Sequence, residues 1–127
     1  MRSEVASGVD ELKAQFAPSS VTVTEDGSGG AHVIVETVDL GTRFTNQVTW
    51  IGGHLTAQYP YADVYPIFIG KDVHRADGVA FQAPVTPGTF AGRPAWQVSR
   101  RNSGAQIERQ AANAKFLRVV HFLQTMP

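Results

Sequence analysis

The feature that most constrains the fold is a pair of β-patterned segments joined by a glycine-rich turn near the N-terminus. Ser20–Glu25 alternates apolar and polar residues, so Val21 and Val23 fall on one face of a half-buried strand. Asp26–Gly30 is a turn cluster in which the glycines permit a positive φ. The segment that follows, Ala31–Leu40, is rich in valine. Together these segments predict an antiparallel hairpin.

Two further strands are predicted in the middle of the chain. Gln47–Ile51 has the composition of a strand, and the Gly52–Gly53 pair after it predicts a turn or a bulge. Ile67–Ile69 is a short apolar strand. Pro60 and Pro66 lie between these segments and exclude a helix there, because each proline forces the residue before it into an extended conformation.

Apolar residues at helical spacing predict one helix at each end of the chain. The N-terminal stripe consists of Val5, Val9, Leu12 and Phe16, and the C-terminal stripe of Ala112, Phe116, Val119, Val120 and Leu123. Ser103–Gln106 fits the capping-box pattern and predicts a helix start. Gly70–Pro94 is rich in glycine and proline and is predicted to be a long loop. We therefore expect a single α+β domain over residues 1–127.

Composition excludes several kinds of chemistry. The chain contains no cysteine, which removes disulfides, thiolate metal sites and a cysteine nucleophile. Its four histidines lack the spacing of a zinc motif, so we expect neither a metal nor a cofactor. No apolar run approaches the roughly 20 residues that a membrane span needs. No basic segment followed by an apolar stretch opens the chain. We expect a cytoplasmic protein that does not contact a membrane.

A net charge of zero conceals an uneven distribution. Residues 1–92 carry five basic and ten acidic side chains, whereas residues 93–127 carry six basic side chains and one acidic. The basic C-terminal segment could face an acidic partner or a phosphate backbone. Alternatively, the two parts neutralise each other within the fold.

The order of elements and two short motifs carry a resemblance to a known family. Tyr59-Pro60 is followed six residues later by Pro66-Ile67-Phe68, and this pattern is similar to the Tyr-Pro motif of the ubiquitin-conjugating enzyme (UBC) superfamily. Ala95–Asn102 and Phe116–Leu123 resemble the bacterial family E branch of that superfamily. The resemblance implies a UBC-like fold in which an N-terminal helix, an antiparallel four-stranded meander, a long active-site loop and a C-terminal helix follow one another. It also implies a ubiquitin-like protein and an activating enzyme as partners.

The chain departs from the superfamily pattern where catalysis takes place. Members usually carry a His-Pro-Asn triplet in the loop, whereas this chain has His74-Arg75-Ala76. The catalytic cysteine is missing, and the usual step of three residues past Gly92 ends on Ala95. Two explanations are open: an alanine engineered in place of a cysteine, or a lineage that never used one.

An active lineage without cysteine would need a hydroxyl as the acyl carrier. The candidate is Ser99, with Arg100 or Arg101 stabilising an oxyanion and Asn102 as a further donor. A serine needs a base, and His74 is the candidate for that role, with His54 as a second imidazole. The structural alternative is that Ser99 ends a strand or caps the last helix while both arginines are solvated or paired.

Three functions are consistent with these patterns. The first is a UBC-like protein that carries or transfers a ubiquitin-like protein, through an oxyester on Ser99. The second is a catalytically inactive UBC-like binding module or scaffold for an activating enzyme or a ubiquitin-like protein. The third is a nucleic-acid-binding domain, which is disfavoured because the basic segment shows no stacking motif.

Overall fold

The computed structural model describes residues 1–101 and 110–127. Its elements, in chain order, are α1 (Ser3–Gln15), β1 (Val21–Glu25), β2 (Ala31–Asp39), β3 (Phe44–Thr45), β4 (Val48–Leu55), β5 (Ile67–Gly70), β6 (His74–Arg75), β7 (Val85–Phe90), β8 (Arg93–Val98) and α2 (Ala112–Thr125). The chain is therefore α+β, with a helix near each end and antiparallel sheet between them.

Six of the strands form one antiparallel sheet in the order β1-β2-β4-β5-β8-β7. The first four form a meander in which each strand pairs with the next, as the sequence predicts. The β7–β8 hairpin then joins the edge of β5, with Ile67 opposite Val98 and Gly70 opposite Ala95. β3 and β6 form a separate two-stranded sheet.

Both helices pack against one face of the large sheet. In α1 the predicted stripe is buried at Val5, Val9 and Leu12, and Phe16 packs against the same core. In α2 the buried residues include Phe116, which is fully enclosed between the helices and the sheet. Burial of these apolar faces, at about 25 cal/mol per Å² of surface removed from water, supplies the main stabilisation of the fold.

A tyrosine from the middle of the chain holds the start of α2. Ala111 has an extended backbone and no side-chain cap, and the N–H of Ala112 donates to the hydroxyl of Tyr59 at 3.0 Å. Tyr59 is buried and also packs against Gly8 of α1. The predicted start signal at Ser103–Gln106 lies outside the described residues. In the structure, therefore, a residue 53 positions away satisfies an N–H group of the first turn.

The other face of the sheet, which we call the open face, carries a second apolar cluster formed by Ile34, Trp50, Phe68, Phe90 and Ala95. The ring of Phe90 lies 4.7 Å from that of Phe68 and 5.7 Å from that of His32, measured between centroids. β4 and β5 separate β8 from β2 in the sheet, yet Arg93 of β8 binds Glu36 of β2. The sheet is therefore strongly coiled, so that the β7–β8 turn folds back over the open face.

Two expectations about the strands are wrong. The second half of the predicted Gly70–Pro94 loop forms β7 and the start of β8, so the large sheet has six strands rather than four. Pro87 lies on an edge strand, where its missing N–H breaks no ladder hydrogen bond. Gly52 and Gly53 do not form a turn, since both lie inside β4.

No helix formed by the described residues is long and apolar enough to cross a membrane.

Candidate functional site

The predicted nucleophile, Ser99, follows β8 directly and is half-buried. Its backbone N–H donates to the carbonyl of Pro84 at 2.9 Å and so extends the β7–β8 pairing by one residue. Its hydroxyl oxygen accepts a hydrogen bond from the side-chain amide of Gln97 at 3.2 Å. Among the described residues, no imidazole and no carboxylate contacts this hydroxyl. The local geometry is that of a strand end, and an amide cannot remove a proton from the hydroxyl.

The predicted bases lie elsewhere. His74 belongs to β6, is exposed and pairs with Thr45, beyond the Gly70 end of β5. Ser99 lies next to the opposite end of β5, because its neighbour Val98 pairs with Ile67. The four residues of β5 separate the two ends by about 10 Å along the strand. The structure therefore does not bring His74 to Ser99.

The second imidazole, that of His54, contacts two residues of the β1–β2 hairpin. Its Nε2 lies 2.7 Å from a carboxylate oxygen of Asp26, and its ring stacks on that of His32 at 4.1 Å between centroids. The hydrogen bond from His54, followed by that from the backbone N–H of Ser28, lowers the pKa of Asp26 to about 2. The Asp26 carboxylate also accepts from the N–H of Gly30, so the pair holds the β1–β2 turn against β4.

Arg100 and Arg101 are exposed and lie with their guanidinium groups over aromatic rings. The Arg100 group lies 4.6 Å from the ring centroid of Phe122, and the Arg101 group lies 3.8 Å from that of Tyr65. Such stacking orients a guanidinium while its N–H groups remain directed to the solvent. Asn102, the other predicted donor, lies outside the described residues.

A buried ion pair fixes the backbone of this segment. Nζ of Lys115 lies 2.9 Å from a carboxylate oxygen of Asp63, and each side chain is only 3% exposed. The same ammonium donates to the carbonyl of Arg100 at 2.6 Å. Burial lowers the pKa of Lys115, the Asp63 carboxylate opposes that effect, and the positive charges of Arg118 and Arg101 add to it.

These contacts define a basic patch, consisting of Arg100, Arg101 and Arg118, which is exposed above the buried Lys115. Asp63 compensates the charge of Lys115, whereas Arg100 and Arg101 face aromatic rings and pair with no carboxylate of the described residues. The arginines of this patch can be recognised in the sequence, but its supports, Asp63 and Lys115, cannot. These two residues are 52 positions apart in the sequence, and no local pattern pairs them.

The open face also contains a groove with a volume of about 710 Å³, which no sequence pattern predicts. Its lining includes Glu36, Trp50, Lys71, Asp72 and Arg93. Arg93 binds Glu36 through two hydrogen bonds of 2.8 and 2.9 Å, and its guanidinium lies 5.4 Å from the centroid of Trp50. The hydrogen bonds from Arg93, followed by that from Thr22, lower the pKa of Glu36. Arg93 and Glu36 therefore neutralise each other in this groove, and Lys71 and Asp72 contribute one charge of each sign to its lining.

The position that the resemblance assigns to the missing cysteine is inaccessible. Ala95 is fully buried in β8, within the apolar cluster of the open face, next to Phe68 and Phe90. A side chain of similar size at this position would be enclosed by aromatic rings and could not meet an incoming protein. The described residues also contain no cluster of three or more His, Asp or Glu side chains that could hold a metal ion.

Comparisons of the chain with protein-family models, with curated proteins and with solved structures found no match.

Proposed function

We propose that this chain is a UBC-like binding module that holds a ubiquitin-like protein or its activating enzyme without forming a covalent bond to it. The observation that carries the proposal is the contrast between two neighbouring groups. The hydroxyl of Ser99 has a side-chain amide as its partner, whereas the guanidinium groups of Arg100 and Arg101 are oriented and exposed.

The succession of elements supports the UBC-like part of the proposal. A helix is followed by a meander of β1, β2, β4 and β5. Tyr59-Pro60 lies after the third of these strands, and Pro66 comes immediately before the fourth. This is the position of the Tyr-Pro motif and its downstream proline in the superfamily that the sequence resembles. The β7–β8 hairpin is an addition to that pattern.

Two features support binding without catalysis. Ser99 has no base beside it among the described residues, and an unactivated serine is a weak nucleophile at neutral pH. Ala95 is enclosed, so the position that the resemblance gives to a catalytic cysteine does not open to a partner. Neither feature hinders non-covalent docking.

The basic patch supports an acidic partner. The guanidinium groups of Arg100 and Arg101 are held by rings, so less side-chain entropy is lost when they pair with carboxylates. Exposed charges of one sign steer an oppositely charged surface and give an affinity that falls with salt. We therefore expect the partner to present Asp and Glu side chains to this patch.

The test is to mix the chain with ATP, a bacterial ubiquitin-like protein and the activating enzyme of that ubiquitin-like protein. We expect co-elution on a sizing column at low salt with no change in the mass of any chain. The variant Arg100→Glu/Arg101→Glu should abolish co-elution, because it reverses the charge of the patch. Lys13→Glu, which reverses an exposed charge on α1, is the matched control and should leave the complex intact.

Two other results would contradict the proposal of a non-covalent binding module. A hydroxylamine-labile adduct that disappears in Ser99→Ala would overturn the proposal in favour of an oxyester carrier. Salt-sensitive retention of a labelled oligonucleotide, together with no co-elution of either protein, would favour nucleic-acid binding instead.

A further inference from the structure

The six-stranded sheet has two edges, β1 and β7, and they differ in their capacity to pair with another strand. An edge strand presents N–H and carbonyl groups that have no partner in its own sheet. In an antiparallel pair, alternate residues direct these groups towards the neighbouring strand and away from it. The register of each edge strand therefore identifies the groups that point outward.

The edge at β7 is blocked. The N–H of Ser99 donates to the carbonyl of Pro84, so the backbone groups of Pro84 point towards β8. Since the direction alternates along the strand, the backbone groups of Val85, Pro87 and Thr89 point outward. The N–H of Val85 already donates to a carbonyl three residues earlier, at 2.9 Å. Pro87 has no N–H. Within the described chain, only Thr89 retains an outward N–H on this edge, so a ladder of hydrogen bonds cannot form there.

The edge at β1 is intact. The N–H of Glu36 donates to the carbonyl of Ser20, and the register of β1 with β2 then directs the backbone groups of Val21, Val23 and Glu25 outward. None of the described residues forms a hydrogen bond with these outward groups. The strand contains neither proline nor lysine, the residues that commonly protect an edge.

The sequence of β1 is complementary to itself. Thr22-Val23-Thr24 reads the same in both directions, so a two-fold axis at Val23 places each of these three residues opposite a matching residue of the other copy. Val23 faces its own copy, and Thr22 faces Thr24 of the other copy in an exposed cross-strand threonine pair. Val21 faces Glu25, so the two Glu25 carboxylates lie at opposite ends of the paired strands. No like charges meet in this arrangement.

We propose that two copies of this chain associate through β1 and form one continuous antiparallel sheet across a two-fold axis. The outward N–H groups of each copy donate to the outward carbonyls of the other copy. The interface is isologous and therefore closes as a dimer. β1 and the β7–β8 hairpin form opposite edges of the sheet, and the basic patch begins after β8. Pairing through β1 therefore does not depend on the proposed function.

The first test is sedimentation equilibrium of the purified chain from about 1 μM to about 1 mM, a range of about 4 kcal/mol in association free energy. We expect the mass to rise from 13.7 kDa to twice that value. Val23→Pro removes the central outward N–H and should weaken association by at least about tenfold. Thr89→Pro makes the same change on the β7 edge and should have no effect. A monomer over the whole range, or equal effects of the two prolines, would overturn the proposal.

The second test measures the register and does not depend on how well a proline variant folds. The chain has no cysteine, so single introduced thiols report only the intended contact. The register places Thr22 and Thr24 of different copies as a non-hydrogen-bonded pair, with Cα atoms about 4.5 Å apart, which suits a disulfide. Under mild oxidation, a mixture of Thr22→Cys and Thr24→Cys should cross-link at least about tenfold faster than a mixture of Thr86→Cys and Thr24→Cys. Equal rates would contradict the arrangement.

Discussion

Replacing Lys115 by methionine tests whether the buried ion pair holds the segment that carries the basic patch. The substitution keeps the length of the side chain but removes the ammonium that lies 2.9 Å from Asp63 and 2.6 Å from the carbonyl of Arg100. The carboxylate of Asp63 is 3% exposed, so its charge would be left in a site that water hardly reaches.

The burial of Asp63 determines how much the free energy of unfolding should fall. Removing one partner of a buried pair typically destabilises a protein by about 3–5 kcal/mol, because the remaining buried charge has lost the attraction of that partner. Domains of this size have a free energy of unfolding of about 5–15 kcal/mol, so the loss would be a large fraction of the total. It corresponds to a fall in Tm of roughly 11–19 °C for a chain of this length.

Urea unfolding followed by circular dichroism measures the effect. Lys115→Met should lower the free energy of unfolding by about 3 kcal/mol or more, and the double variant Lys115→Met/Asp63→Asn should recover part of the loss, since it leaves no buried charge. Asp77→Asn is the matched control. It breaks an ion pair with Arg75 in which Asp77 is half-exposed, and it should cost much less than Lys115→Met because solvent screens an exposed pair. A loss below about 1 kcal/mol in Lys115→Met would refute the reasoning.

Three further variants test other parts of the structure. Tyr59→Phe removes the hydroxyl that accepts from the N–H of Ala112, and urea unfolding should show a loss of about 1–2 kcal/mol. Gly52→Ala would place a Cβ 2.7 Å from the ring of Phe90 on the open face, so we expect a loss of about 1–3 kcal/mol and an altered near-ultraviolet spectrum. Asp26→Asn tests the pH dependence: since folding lowers the pKa of Asp26 from 3.8 to about 2, the unfolded state binds more protons in that range. Acid titrations should therefore show that wild-type stability falls between about pH 4 and pH 2 and that the variant loses this part of the dependence.

The helices and the first hairpin could be predicted from the sequence because local periodicity determines which of their faces is apolar. The turn predicted at Gly52 and Gly53 was wrong for a reason that is not local. A Cβ at Gly53 would lie 2.8 Å from the side chain of Val64 and 3.0 Å from that of Ile67. These glycines therefore allow a close approach within β4 rather than a change of chain direction, and only the packed structure reveals this.

The candidate site, too, could be predicted from the sequence only in part. Arg100 and Arg101 could be found in the sequence because the charge asymmetry identifies the C-terminal segment. The aromatic rings beneath them, Tyr65 and Phe122, come from a proline-rich connection and from α2, and no spacing rule joins these segments. The predicted pairing of Ser99 with a histidine depended on tertiary proximity, which one sequence cannot supply.

The contact between Arg93 and Glu36 also bears on the order in which the chain folds. Both the β1–β2 and β7–β8 hairpins join neighbouring segments through short turns, so each can form with little loss of chain entropy. The contact itself closes a loop of 57 residues, and such long-range contacts are slow to form. We expect that changes in the Asp26–Gly30 turn alter mainly the folding rate, whereas Arg93→Ala alters mainly the unfolding rate. The coiling of the sheet would then be a late event, in which two preformed hairpins are brought together around β4 and β5.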